Sequence, residues 1–487
     1  MLTCARILVG VGLALVAWRI TFVPGQSLRR CWRAVALDGL APLGGFAWFL
    51  AATGRPLLSG ALVLSILGAL TFADRAKRRV LSEPALFSDL SLLILMVRHP
   101  ALYLSYVGYG RFALGAAAIG GALASALVFE PAVGGWTPWV GLIGFTLGLG
   151  VIWAMAGPLL HPLAAQLRRL SPSGEPEADA AQLGALACLL AHGLIARSER
   201  AGRQAAACPQ PQLQSPPVIR TRPPPVVMVQ AESFLDARRL GPAMPSDLLP
   251  AFEQCRSSSL QWGRLDVRGR GGNTMRTEFD VLTGLPSEAV GLDWRNPYHA
   301  FARRPVDSLA WRFRALGYRT VCIHPFDRTF FARDQVMPNL GFETFLGEEA
   351  FEGGVRDGRY IADCEVAGLT ERLLREQEGL FLFAITVANH GPWSQSAEGG
   401  ELGGWIEGLK RTDAMLGAIA QVMSRRSDKG LLAFFGDHPP SLPMAFEALA
   451  YREPTTDYLL WRDGEGQAPR RDCSASELSR TILAAAA

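Results

Sequence analysis

The chain has 487 residues, of which 49% are hydrophobic and 19% charged, with a mean hydropathy of +0.17. That apolar content excludes a disordered or fibrous chain and is high for a purely soluble enzyme, so membrane spans are expected within a protein of two or three domains. The net charge of +4 is spread thinly along the chain, which leaves no footprint for nucleic acid.

Apolar density lies at the N-terminal end. Runs over 7–23, 35–52, 57–72, 112–128 and 136–156 each approach the roughly 20 residues that cross a bilayer. They are rich in the glycine and alanine that let helices approach closely in lipid. About five spans are therefore expected within residues 1–160, and the runs behind the first favour a retained anchor over a cleaved signal peptide. Segment 84–106 is a candidate for an interfacial stretch or a sixth, polar-interrupted span. With five spans, the cluster Arg75, Lys77, Arg78 and Arg79 shares a side with the C-terminal part, and the positive-inside rule would place that side in the cytoplasm.

Residues 161–225 are expected to hold an amphipathic helix (180–197, AAQLGALACLLAHGLIAR) and then a linker, since seven prolines fall between Pro209 and Pro225. Beyond it, over 226–487, short apolar runs alternate with helical patterns at 305–316, 361–376 and 405–423. The runs are 226–229, 320–323, 380–387 and 431–435. Such alternation predicts an α/β domain with a mostly parallel central sheet flanked by helices. The eight cysteines, Cys4, Cys31, Cys188, Cys208, Cys255, Cys322, Cys364 and Cys473, form no C-x-x-C pair or zinc-ribbon spacing. Several of them lie in apolar runs and read as small buried hydrophobes.

In open α/β sheets ligands gather beyond the carboxyl ends of the strands. Here VVMVQ runs into Ala231-Glu232-Ser233, RTVCI into His324, LFLFAITVAN into His390, and LLAFFG into Asp437-His438. Each ending taken alone is an ordinary surface carboxylate, helix cap or structural histidine; four together point to a site. Glu232, Asp437 and His438 offer the mixed oxygen and nitrogen set that suits one divalent cation, manganese foremost, with magnesium or zinc as alternatives. A glycine-rich loop, RGRGGNT, leads into a helical pattern, placing Thr274 at or near a helix N-terminus that favours an anion. A threonine hydroxyl attacks well only when a base or metal draws off its proton. A plain cap is the bland reading of Thr274, and Thr277, one turn inside the helix, is the weaker nucleophile candidate. His324, Arg333 and His390 would complete an oxyanion-binding set, the arginine as a fork of donors and the histidines as proton donors or hydrogen-bond partners.

The ordered words QAESF, GGNTMRTEF, IHPFDRTFFARD, ANHGPW and FFGDH resemble the alkaline-phosphatase-like superfamily. Within it they are most similar to the lipoteichoic acid synthase and phosphoglycerol transferase branch, over residues 226 to about 445. The resemblance implies a metal site of Glu232, Thr274, Asp437 and His438, with Thr274 as covalent nucleophile. It implies substrate-phosphate contacts from His324, Arg333 and His390. At Phe331 the chain departs from the Gram-positive synthases, which carry a tryptophan there. Phe331 can keep the apolar wall of the substrate site but not the indole donor.

The branch implies transfer of glycerophosphate from phosphatidylglycerol to an envelope glycan or glycolipid. The enzyme would be a multi-pass protein of the bacterial inner membrane with its catalytic domain on the periplasmic or extracellular side, against the charge count above. A phosphoethanolamine transferase is the nearest rival. A sulfatase would need a Cys/Ser-x-Pro-x-Arg word near Thr274, which is absent, and an inactive lipid- or glycan-binding protein would be expected to have lost a ligand or the nucleophile.

Overall fold

The computed structural model describes residues 2–21, 31–92, 109–170, 173–210, 223–301, 304–394, 398–466 and 469–486. The chain forms two compact units, Met1–Ala201 and Gly202–Ala487.

In the first unit, among the described residues, five helices are long and apolar enough to cross a membrane: Leu2–Ile20, Trp32–Thr53, Pro56–Leu81, Phe112–Phe129 and Pro138–Ala156. Glycine sets one of their contacts. A Cβ on Gly10 would meet the Pro56 carbonyl oxygen at 2.4 Å, and one on Gly60 would meet that of Gly10 at 2.5 Å, so the first and third helices touch backbone to backbone. The second helix carries a π turn at Leu40–Gly44, around Pro42, which lacks an amide hydrogen for the regular ladder. The N-terminus of Pro56–Leu81 is closed by a carboxylate: Leu57 and Leu58 N–H each donate to Glu130 at 2.8 Å. Lys77 pairs with Asp89 at 2.8 Å and Glu83 at 3.2 Å, and Arg78 with Asp74 and Glu177, so part of the basic cluster is matched by acids.

Two expectations change or fall outside the description. The stretch expected as one helix over 180–197 is divided between helices Pro176–Leu183 and Ala185–Ala206, because Gly184 at φ +103° breaks the ladder. Most of 84–106 and of the proline-rich linker lies outside the described residues; Phe87–Leu92 forms a 3₁₀ turn.

The second unit is an α/β domain. Its main sheet contains β1 (Val226–Ala231), β2 (Ser259–Asp266), β3 (Arg319–Ile323) and β4 (Thr344–Leu346). It continues with β7 (Leu380–Ile385), β8 (Leu431–Gly436), β9 (Thr456–Trp461) and β10 (Cys473–Ser474), while β5 (Arg356–Asp357) and β6 (Tyr360–Ile361) form a separate small hairpin. The order is β10-β2-β9-β8-β1-β7-β3-β4. From β8 to β4 every pairing is parallel, and β9 runs antiparallel to both neighbours.

Both faces are covered, which is why these strands read as unbroken apolar runs. Val226 and Met228 pack with Met275, Phe279, Leu478 and Ile482. Val227, Val229 and Ala231 pack with Val366, Leu373, Trp405 and Leu409 of helices Asp363–Glu376 and Gly400–Ser424. The four strands read from the sequence are the contiguous set β8-β1-β7-β3, so their carboxyl ends lie side by side.

Candidate active site

Register does the first part of the assembly. Ala231 of β1 is level with Gly436 of β8, so Glu232 emerges beside Asp437. The next residue, Ser233, takes φ +54°, a left-handed turn uncommon for a side-chain-bearing residue. That turn is held on every side. Its N–H donates to Asp437 Oδ1 at 2.8 Å, its hydroxyl donates to Glu232 Oε1 at 2.9 Å, and its carbonyl accepts from Trp405 Nε1 at 3.0 Å.

Glu232, Asp437 and His438 are buried, and each offers one ligand atom within 4.8 Å of the others. His438 Nδ1 lies 3.1 Å from the Pro439 carbonyl, which can only accept, so Nδ1 carries the hydrogen and Nε2 presents its lone pair. Nε2 stands 3.3 Å from Asp437 Oδ2 and 3.5 Å from Glu232 Oε1. Asp437 Oδ1 is filled by the N–H groups of Ser233 and His438, whereas Asp437 Oδ2 and His438 Nε2 have no hydrogen-bond partner.

Burial raises the Asp437 carboxyl above its ordinary range. It raises Glu232 well above its own, and the neighbouring Asp437 charge adds to that. Two buried carboxylates converging with an orphaned imidazole lone pair have no stable arrangement without a proton or a cation. Ligand atoms bound at about 2.0–2.2 Å to one metal lie roughly 3.1–3.5 Å apart, the spacing that His438 Nε2 keeps to both carboxylates. The residues fit a divalent ion.

The glycine-rich loop brings the hydroxyl. Gly271 takes φ +63° and donates its N–H to the Pro439 carbonyl at 2.9 Å, and a Cβ on Gly269 would meet the Gly272 carbonyl at 2.6 Å. The loop thus folds back against the Asp437-His438 segment and delivers Thr274 to the start of helix Met275–Thr283. Thr274 stands at the N-cap position but its side chain makes no cap hydrogen bond; its hydroxyl lies against the Asp437 carboxylate and favours its ionised form. The Thr277 hydroxyl is spent on the Asp437 carbonyl at 2.7 Å.

His324 follows β3 directly, and its Nδ1 faces the Ile385 carbonyl at 3.3 Å, leaving Nε2 to face Arg333 Nη1 at 3.4 Å. Burial, then the arginine charge, hold its pKa well below the usual histidine range. His390 stands five residues past β7, with Nδ1 2.6 Å from the Gly391 carbonyl, and burial lowers it to about 4. Both rings are therefore neutral near pH 7, with the hydrogen on Nδ1 and the lone pair on Nε2, so that as placed they accept hydrogen bonds at Nε2 and do not donate there. Phe331, half-buried, lies against the Arg333 guanidinium, 5.4 Å from ring centroid to carbon.

Three residues outside the expected set, Glu278, Gln230 and Tyr298, surround Arg333 or its partner. Glu278 is fully buried and grips Arg333 at both oxygens, 3.0 Å to Nε and 2.8 Å to Nη2. It also accepts from Gln230 Nε2 at 3.1 Å and from the Tyr298 hydroxyl. Two of the three had a signal: Gln230 interrupts an apolar strand, and Glu278 falls one helical turn after Thr274. Tyr298 had none.

The sulfatase family profile matches residues 226–487. The chain is 30% identical to the capsular polysaccharide biosynthesis protein RkpI of Rhizobium meliloti over 437 residues, covering 85% of this chain and 79% of that protein. It is 29% identical to a putative cyclic β-1,2-glucan modification protein of the same organism over 253 residues, which is 48% of this chain and 38% of that one. Among solved structures, the Streptococcus pyogenes phosphoglycerol transferase GacH aligns with a TM-score of 0.46 and 22% identity, over 59% of this chain and 80% of that one. With a match that spans the whole C-terminal α/β domain and a relative aligned over most of both chains, this protein belongs to the sulfatase family.

Proposed function

We propose that the protein is a membrane-anchored phosphoglycerol transferase that takes glycerophosphate from phosphatidylglycerol and passes it to an envelope glycan or glycolipid. The observation that carries this reading is Thr274: a buried hydroxyl, unused as a cap, set against the carboxylate that converges with Glu232 and His438. A divalent cation held by Glu232, Asp437 and His438, with Thr274 beside it, would supply Lewis acidity to the hydroxyl and neutralise charge on the phosphoryl oxygens.

In the first step the Thr274 oxygen bonds to phosphorus as the bond to the diacylglycerol oxygen breaks. The hydroxyl proton leaves by way of the Asp437 carboxylate, and the departing diacylglycerol oxygen takes up a proton. The product is a glycerophosphoryl-threonine. In the second step an acceptor hydroxyl attacks that phosphorus as the bond to the Thr274 oxygen breaks; the acceptor's proton leaves by way of the neutral His390, and a proton returns to the Thr274 oxygen by way of the Asp437 carboxylate, which restores the free alcohol. Arg333 orients phosphoryl oxygens throughout.

The headgroup assignment rests on charge. The Arg333 guanidinium covers the Phe331 ring and that of Arg359 covers Tyr360, at 5.4 and 4.8 Å. Each of these two rings already meets a cation, which makes it a poorer seat for the ammonium of ethanolamine and favours the neutral glycerol there. The names of the two Rhizobium meliloti relatives support a surface polysaccharide or glucan as acceptor. Five apolar helices support anchorage in the bilayer that holds the donor, with the catalytic domain on the outer side, where such glycans lie.

The test uses full-length protein in vesicles carrying headgroup-labelled phosphatidylglycerol or phosphatidylethanolamine. Diacylglycerol release is expected from the first lipid only, with Mn²⁺ present, and is lost in Thr274→Ala. Full turnover in that variant would remove Thr274 from its role, and preferential use of the ethanolamine lipid would overturn the headgroup.

A further inference from the structure

Arg333 follows two consecutive side-chain-bearing residues in the left-handed region, Phe331 at φ +55° and Ala332 at φ +56°. Such conformations are costly and persist only where the surroundings over-determine them. The nearest strong constraint is Glu278. A carboxylate and a guanidinium, both essentially without solvent exposure, form a bidentate pair, with Gln230 and Tyr298 holding the carboxylate from two further directions. Glu278 also lies on the same helix as Thr274, one turn along.

We infer that Glu278 is a positioning residue for oxyanion recognition. It fixes the Arg333 fork relative to the Thr274 hydroxyl, so that one helical turn sets the distance between attacking oxygen and phosphate grip. The inference rests on the phosphate-binding role of Arg333 proposed above.

The geometry assigns separate duties to the arginine's faces. Nε and Nη2 are spent on Glu278, which compensates the buried charge, and Nη1 faces His324 Nε2. Arg333 therefore offers a phosphate oriented donors more than net charge. Its grip depends on direction, and direction is what the carboxylate supplies. Gln230 reaches Glu278 from the strand that carries Glu232, so the clamp is anchored to the central sheet and not to the surface.

The experiment is calorimetric titration of inorganic phosphate into Mn²⁺-loaded full-length protein in detergent, a readout that needs no turnover. Arg333→Ala and Glu278→Gln are each expected to weaken phosphate binding by about ten- to a hundredfold, the range for a hydrogen bond to a charged group. The double variant is expected to bind no more weakly than Arg333→Ala alone, and Mn²⁺ affinity to stay within about twofold of wild type in Glu278→Gln. Glu278→Gln that binds phosphate as well as or better than wild type overturns the inference. So does a double variant weakened by the product of the two effects, since a general structural defect would add. If Arg333→Ala binds phosphate normally, the arginine's proposed role falls, and the inference with it. Should Glu278→Gln fail to fold, Tyr298→Phe removes a single hydrogen bond from the same carboxylate. It is expected to weaken binding severalfold in the wild-type background and not at all beside Arg333→Ala; equal losses in both backgrounds would overturn the inference.

Discussion

Replacing Asp437 with asparagine should move stability in opposite directions with and without metal. The Glu232 and Asp437 ligand oxygens lie within 4.8 Å of each other in a buried site. Two full charges at that spacing repel by about 3–4 kcal/mol at the effective dielectric that best describes protein sites. Asparagine has the same shape: its oxygen can still accept from the Ser233 and His438 N–H groups, and its amide would face the orphaned His438 Nε2, 3.3 Å from the present oxygen. Metal-free Asp437→Asn is therefore expected to melt above metal-free wild type. Adding Mn²⁺ at about a hundred times its dissociation constant should stabilise wild type by about 2.7 kcal/mol. At roughly 2–4 °C per kcal/mol for a domain of comparable size, that is a rise of about 5–10 °C. The variant should show little of it. Differential scanning fluorimetry on detergent-purified protein, dialysed against chelator and then titrated with Mn²⁺, Mg²⁺ or Zn²⁺, reads both effects. A wild type that none of the three ions stabilises, or a variant that gains as much as wild type, would refute the reasoning.

Two further tests are independent of that site. Burial holds the Asp280 carboxyl up at about 7, against the pull of Arg268 and Arg276. A carboxyl raised in the folded state costs nothing below its unfolded pKa near 4, and the cost grows as pH rises towards 7. Asp280→Asn should therefore raise the melting temperature at pH 8 by a few degrees and leave it nearly unchanged at pH 4; equal shifts at both would contradict this. For topology, a periplasm-activated reporter fused after the last residue is expected to be active, and a cytoplasmic signal would overturn the outward placement of the catalytic domain.

The legibility of this chain follows from which strands are buried on both faces. VVMVQA, RTVCI, LFLFAI and LLAFFG each read as strands because helices cover both sides of the sheet where they lie, and the residues just past them could be found by counting. By contrast β2, SLQWGRLD, interleaves polar residues and sits next to the sheet edge, where one-sided exposure erases the apolar run. β9, TDYLLW, is fully buried but opens on the polar pair Thr456-Asp457 and runs antiparallel, and its pairing with β2 and β8 is a long-range fact that no local pattern records. The convergence of Glu232, Asp437 and His438 was legible because register in parallel strands turns equal position along the sheet into proximity. The Glu278–Arg333 pair was not, because it joins residues 55 apart through the chain's path around β3. Gly184 alone stood between one expected amphipathic helix and two observed ones.

The side-by-side arrangement of β8, β1, β7 and β3 also bears on how such a protein can diversify. Successive residues of β1 face opposite core layers, so inserting or deleting one residue within Val226–Ala231 would exchange the two sets and swing Glu232 away from Asp437 at once. Packing and chemistry would fail together, and no gradual slide of the strand could lead to a new reaction. Innovation in partner choice must therefore come from the turns beyond the strand tips, while the strands themselves behave as a fixed ruler.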